Sequence, residues 1–235
     1  VTSENISSQF DLADDGPAVG TVIKPALTGL SLVTSDGNAL YETAGNDKAI
    51  GGTDSDDGVS VKALFESSVT PAYGADGAAT SNAVVASGFK FVSETAGLTA
   101  GNTAGVSSQL YSNGQLINLY LSADGLTLRG STASTSTDVS SGETGNTVFV
   151  VSINGTSGDV SQTQYFNVDH PAGENGGSGP SYNGVYSDQT IDLHAINLTI
   201  QATVTTTDRD GDFVQQTVTS ENISSQFDLA DDGPA

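Results

Sequence analysis

The chain has 235 residues, with 28 acidic against 6 basic side chains for a net charge of −22, and it contains no Cys, Met or Trp. That field repels nucleic acid and anionic membrane and attracts cations, and its self-repulsion opposes compaction unless counter-ions offset it. Without Cys neither disulfides nor thiolate chemistry is available, and no apolar run reaches the length of a membrane span, so neither a nucleic acid nor an inserted membrane partner is expected.

The first eighteen residues, VTSENISSQFDLADDGPA, recur unchanged as residues 218–235. The two copies start at positions 1 and 218, a period of 217 residues, and self-similarity at a fixed period marks a tandem array. Residues 1–18 are therefore expected to be the tail and linker of a preceding repeat, 19–230 one β-sandwich, and 231–235 the linker to the next. Two small sandwiches would also fit the length. One is preferred, because the Asp-Asp-Gly-Pro signal recurs only at the 217-residue spacing.

From Gly20 onward, short segments rich in β-branched residues alternate with Gly, Asn, Asp and Ser clusters, and no stretch sustains a 3.6-residue apolar period. Strands are predicted over residues 21–33, 59–65, 84–92, 116–121, 126–129, 148–153, 160–168, 196–204 and 213–219, with 223–229 closing the unit. In 196–204, Ile196, Leu198, Ile200, Ala202 and Val204 share one face and polar residues the other, which is the signature of a half-buried strand. Asn154-Gly155 predicts a hairpin turn. Many short strands with turn-rich links indicate an all-β chain, an enlarged immunoglobulin-like antiparallel β-sandwich.

The most suggestive chemistry lies in Thr207-Asp208-Arg209-Asp210-Gly211-Asp212. Carboxylates at alternate positions, with a Gly to tighten the loop, are able to converge on one hard cation, calcium being the natural candidate. The pattern departs from an EF-hand: Gly comes fourth instead of sixth, and Thr219 stands where a bidentate Glu is needed. Missing ligands are expected from Asp231 and Asp232, returning to the same end after the last strand. A second acidic set is expected at the other end, where Asp14 and Asp15 precede the first strand near loops holding Asp36 and the run Asp54, Asp56 and Asp57. Asp76, in Tyr73-Gly74-Ala75-Asp76-Gly77-Ala78, is a further candidate, although such Asp-Gly pairs also form ordinary turns. Catalysis is not expected: His170 and His194 lack zinc-ligand spacing, Asp169-His170-Pro171 reads as a strand end, and no serine elbow or phosphate loop is present.

With those motifs in order, the chain resembles an extender repeat of the giant RTX adhesins that Gram-negative bacteria export by type I secretion. The resemblance is carried by Leu40-Tyr41-Glu42-Thr43, the Tyr73 to Ala78 motif, Val148-Phe149, Gly158, Tyr165 and Val168-Asp169-His170-Pro171. It continues through Thr205-Thr206-Thr207 into the Asp208 loop and ends on Asp231-Asp232-Gly233-Pro234. The family's pattern often has an acidic residue where Tyr41 stands, so that position is left out of the site. The resemblance implies a rod of sandwiches at the cell surface with several calcium ions in and between domains. It also implies folding after export into millimolar calcium; the expected partners are neighbouring repeats of the same chain, with no obligate partner beyond them. A structural spacer for adhesion and biofilm formation is the first expectation, a calcium-dependent lectin-like ligand-binding module the second, and an enzyme acting on polysaccharide the third.

Overall fold

The computed structural model describes residues 16–28, 30, 32–33, 54–56, 59–140, 145–166, 168–169, 190–193 and 195–230. Among the described residues the strands, numbered along the chain, lie in four sheets. The first has the order β13 (Phe213–Thr219), β12 (Leu198–Thr207), β5 (Val84–Ser93), all antiparallel. The largest runs β3 (Asp54–Asp56), β10 (Val160–Gln164), β9 (Thr147–Ile153), β8 (Thr127–Ser131), β7 (Gln115–Leu121), β6 (Val106–Ser112). β1 (Ala18–Val22) pairs with β4 (Val69–Ala72), and β14 (Phe227–Ala230) lies between β11 (Thr190–Asp192) and β2 (Leu32–Val33). The β14–β2 pair is parallel; every other strand pair among the described residues is antiparallel.

Period-two patterning explains the packing. Leu198, Ile200, Ala202 and Val204 of β12 are all buried, and they meet Phe89 and Phe91 of β5 and the inward residues Leu119, Leu128, Val151 and Val160 of the large sheet in one apolar cluster. This sheet-on-sheet burial is the source of an all-β, sandwich-like fold. Phe65 and Phe227 extend the cluster with edge-to-face contacts to Phe89 and Phe91, at centroid distances of 5.4 and 6.5 Å. The free edge of β5 is closed by two turns, because Phe89 N–H donates to Gly155 O and Phe91 N–H to Gly125 O. An edge strand whose donors are used this way offers no template for stray pairing.

Several predicted elements change. Residues 59–65 do not form a strand: the chain makes a short helix, α1 (Lys62–Ser67). Val61 and Phe65 satisfy either period, sharing one face of a strand and being i, i+4 neighbours on a helix. Ala63, which would share their face in a strand, is exposed while Ser68 is buried, a helical spacing that the helix-forming Ala63, Leu64 and Glu66 support. The Glu66 carboxylate then accepts a hydrogen bond from Ala86 N–H at 3.2 Å, fastening α1 to β5.

The predicted strand 21–33 splits into β1 and β2, because Pro25 has no N–H to give a ladder and restricts Lys24 before it. Between them Leu27 and Leu30 drop into the core. The closing strand begins later than expected, at Phe227, since residues 224–226 form a 3-10 turn. β10 ends at Gln164, short of the predicted 168.

The 153–160 hairpin forms, but Asn154 serves it through its side chain: Oδ1 accepts from Thr156 N–H (2.9 Å) and Ser157 N–H (3.0 Å). The left-handed residue is Gly158, at φ +72°, with the Phe89 ring 3.1 Å from where a Cβ would stand. β6 lies outside the predicted strands because two of the three positions on its buried face are serines, Ser108 and Ser112, with only Leu110 apolar. Its turn into β7 is Asn113-Gly114, both at positive φ. Asp169 anchors that turn, its two carboxylate oxygens accepting Asn113 N–H at 2.6 Å and Gly114 N–H at 2.7 Å. The Asp169 carboxylate is therefore occupied structurally, while His170 and His194 lie outside the described residues.

Candidate metal centre

β12 and β13 run side by side from the pair Gln201–Thr219 to the pair Thr207–Phe213. The five residues that join them at that end carry the three aspartates. The loop is closed by Asp208 N–H donating to Asp212 O at 3.0 Å, and Gly211 supplies the φ of +104° that the reversal needs. Asp208 turns inward and is only 2 % exposed. Its Oδ1 accepts from Gly211 N–H (3.1 Å) and Asp212 N–H (2.9 Å), while Asp210 Oδ1 stands 3.5 Å from Asp212 N.

One carboxylate oxygen from each of Asp208, Asp210 and Asp212 lies within 4.8 Å of the other two, Asp208 being buried and the other two exposed. The crowding is visible in their acidities. Asp208 is raised above the ordinary aspartate value, first by its hydrogen bond with the Asp210 carboxyl, then by desolvation and by repulsion from Asp210. Asp210 is lowered, first by that same bond with Asp208. Two carboxylates this close titrate as a pair around one shared proton. A divalent cation would replace that proton and neutralise the repulsion, so the cluster is able to hold a metal ion through oxygen donors alone.

A second turn lies along the loop. Arg209 N–H donates to Gly77 O at 3.0 Å, Ala79 N–H to Thr207 O at 3.2 Å, and Ala78 bridges Asp208. Asp76 sits exposed in that turn, outside the group of three converging aspartates. Thr219 ends β13 at the opposite end of the hairpin, roughly 20 Å away at about 3.3 Å per residue. The loop thus leads into a strand where an EF-hand would enter its second helix.

The chain enters the domain at the same end. A Cβ built on Gly16 would lie 3.3 Å from Asp212 Oδ2, and β1, which begins two residues later, runs beside β13. The expectation that set the Asp14-Asp15 linker at the opposite end from the Asp208 loop is corrected by this contact. Asp14 and Asp15 themselves lie outside the described residues, as do Asp231, Asp232, Asp36 and Asp57. Asp54 and Asp56 are not in a loop: their backbone forms β3, paired with Gln164 and Gln162 of β10. Gly16 was not singled out from sequence, although its place directly after the acidic pair was the available signal.

A family model for "Domain of unknown function (DUF5801)" matches residues 34–220, the larger part of the chain. The chain belongs to the DUF5801 family. The match spans β12, the aspartate loop and β13, so the candidate centre lies inside this DUF5801 domain, whereas β1, Gly16 and β14 fall outside the matched segment. No curated protein and no solved structure matches the chain.

Proposed function

We propose that the chain is one unit of a tandem array, a spacer repeat of a calcium-stabilised bacterial surface adhesin. Its role in this reading is to hold ligand-binding domains away from the cell, outside it, for adhesion and biofilm formation. The observation that carries the reading is the position of the aspartate loop: it lies beside Gly16, in the segment that the sequence repeats 217 residues later as the exit linker. A cation there would neutralise charge at a junction between units that each carry a large negative excess. All-oxygen donors favour calcium, magnesium or manganese over softer metals, and flexible surface carboxylates suit the variable geometry of calcium better than the strict octahedron of magnesium. Extracellular calcium modules work at dissociation constants of about 10⁻⁴ to 10⁻³ M, which leaves such sites empty in a cell and filled outside it.

The test is thermal melting with calcium and with EDTA, joined to small-angle scattering of a chain carrying two consecutive units. Binding to the folded state stabilises it by about 1.4 kcal/mol per site at tenfold excess, which for a domain of this size corresponds to a rise of about 3–6 °C. An unchanged melting temperature removes calcium from the proposal, and freely flexing units in calcium remove the rigid spacer.

A second reading, a ligand-binding module, has one observation in its favour. A depression of about 290 Å³ on the large sheet is lined by Asn102, Tyr120, Ser122, Thr127, Arg129 and Ser136, and the buried Nε of Arg129 has no hydrogen-bond partner. Specific binding on a glycan array in calcium would put this reading first; an array without hits leaves the spacer.

A further inference from the structure

At the entry end, next to Asp212, stands Phe213 with 64 % of its surface exposed, second among the large apolar side chains of the described residues to Ile23, just after β1, at 65 %. Val19 of the adjoining β1 is 47 % exposed. Scattered surface apolar residues need no explanation. The covalent arrangement gives this pair one.

In an array, the closing strand of one unit ends at Ala230 and is followed by Asp231, Asp232 and then the next unit's counterpart of Gly16. Three residue steps at about 3.3–3.6 Å each allow at most roughly 11 Å between those two points. β14 is no loose tail: Phe227 and Leu229 are fully buried in their own sandwich. The body of the preceding unit is thereby held within about 11 Å of a backbone position that itself packs against Asp212. Phe213 follows Asp212 directly.

We propose that Phe213, with Val19 of the adjoining β1, is the docking point for the preceding copy of the repeat. The inference rests on the tandem reading above and adds to it a specific apolar contact beside the aspartate cluster. One aromatic anchor buries about 150–250 Å², far below the roughly 1,200 Å² of a free-standing interface. The contact therefore needs the two-residue tether, which supplies an effective concentration in the millimolar range. Separate one-unit chains stay monomeric, and docking occurs only between units joined in one chain.

The absence of Trp gives a clean probe. In a two-unit chain, Phe213→Trp is introduced either in the first unit or in the second, each time as the sole indole. In calcium, the second-unit indole should emit at shorter wavelength and be quenched by acrylamide several-fold less than the first-unit indole. Equal quenching at the two positions overturns the docking point, and if calcium still raises the melting temperature, the calcium-stabilised spacer survives that loss. Protection of the second-unit indole that persists in EDTA keeps the docking point and shows that it forms without the cation. Equal quenching with no calcium effect on melting sinks both proposals.

Discussion

Two turns of this domain solve the same backbone problem with different chemistry. In the 153–160 hairpin, Asn154 Oδ1 accepts the N–H groups of Thr156 and Ser157. In the β12–β13 turn, Asp208 Oδ1 accepts those of Gly211 and Asp212. Each turn needs one side-chain oxygen, which a neutral amide supplies as well as a carboxylate does. At the Asp208 turn the charge is surplus to the fold, and Asp210 and Asp212 add more of it within 4.8 Å. The comparison separates what a turn requires from what a cation requires, and that separation is the physical case for a metal centre.

The largest effect expected to sharpen it comes from Asp208→Asn. The amide keeps the two backbone hydrogen bonds but removes the charge, so the calcium-dependent rise in melting temperature should be lost. In EDTA the variant should melt no lower than the parent, since the repulsion with Asp210 is relieved. A fall in EDTA as large as the loss in calcium would mean that Asp208 is structural, and the contrast with Asn154 would collapse.

Asn154→Ala should behave in the opposite way. It leaves two backbone donors without their acceptor, at a cost of about 1 kcal/mol, or roughly 2–4 °C, equally with and without calcium. Any dependence on calcium at this site would show that the two turns are coupled.

Acidity offers a third probe. The raised pKa of Asp208 means that the cation-free fold binds its proton more tightly than the unfolded chain does. Its contribution is thus unfavourable at neutral pH and is relieved as pH falls through the raised value. Asp210, lowered in the fold, acts with the opposite sign: it contributes stability above the ordinary aspartate value, lost only as pH falls through its depressed one. Because the first proton enters at Asp208 and competes with the metal, the melting difference between calcium and EDTA should shrink as pH drops into the range just above the usual aspartate value. A difference that stays constant through that range would separate the calcium effect from this pair.

The smallest change is expected for Asp76→Asn. Asp76 lies in the neighbouring turn and outside the converging group, so it acts on the ion only through space in a screened, exposed setting. Calcium affinity measured by titration calorimetry should weaken by a few-fold at most. Abolished binding would make Asp76 a direct ligand and enlarge the centre beyond the Asp208 loop.

Much of the site was legible because it is local. Alternate aspartates around Gly211 form a turn whichever sheets surround them, and the strand 213–219 after the loop follows from its own alternation. The elements that escaped the sequence were those decided by distant partners. In residues 59–65, Val61 and Phe65 satisfy both periods, and only packing, which buries them with Ser68 and leaves Ala63 exposed, chose the helix. β6 was masked by its serines until Asp169, far along the chain, anchored its turn.

The sequence by itself determined the all-β character, the central strand with its buried face and the charge that calls for cations, since each depends on period, composition or spacing within a few residues. It also determined the repeat, which is identity and needs no structure. Only the tertiary structure decided that the chain enters the domain beside the aspartate loop. Linear spacing set the entry linker at the end opposite the aspartate loop, but β1 lies beside β13, and that arrangement brings Gly16 to Asp212. The physical reason is that strand neighbours are chosen by burying one shared core, and that choice sets chain ends side by side with no trace in the residues between them.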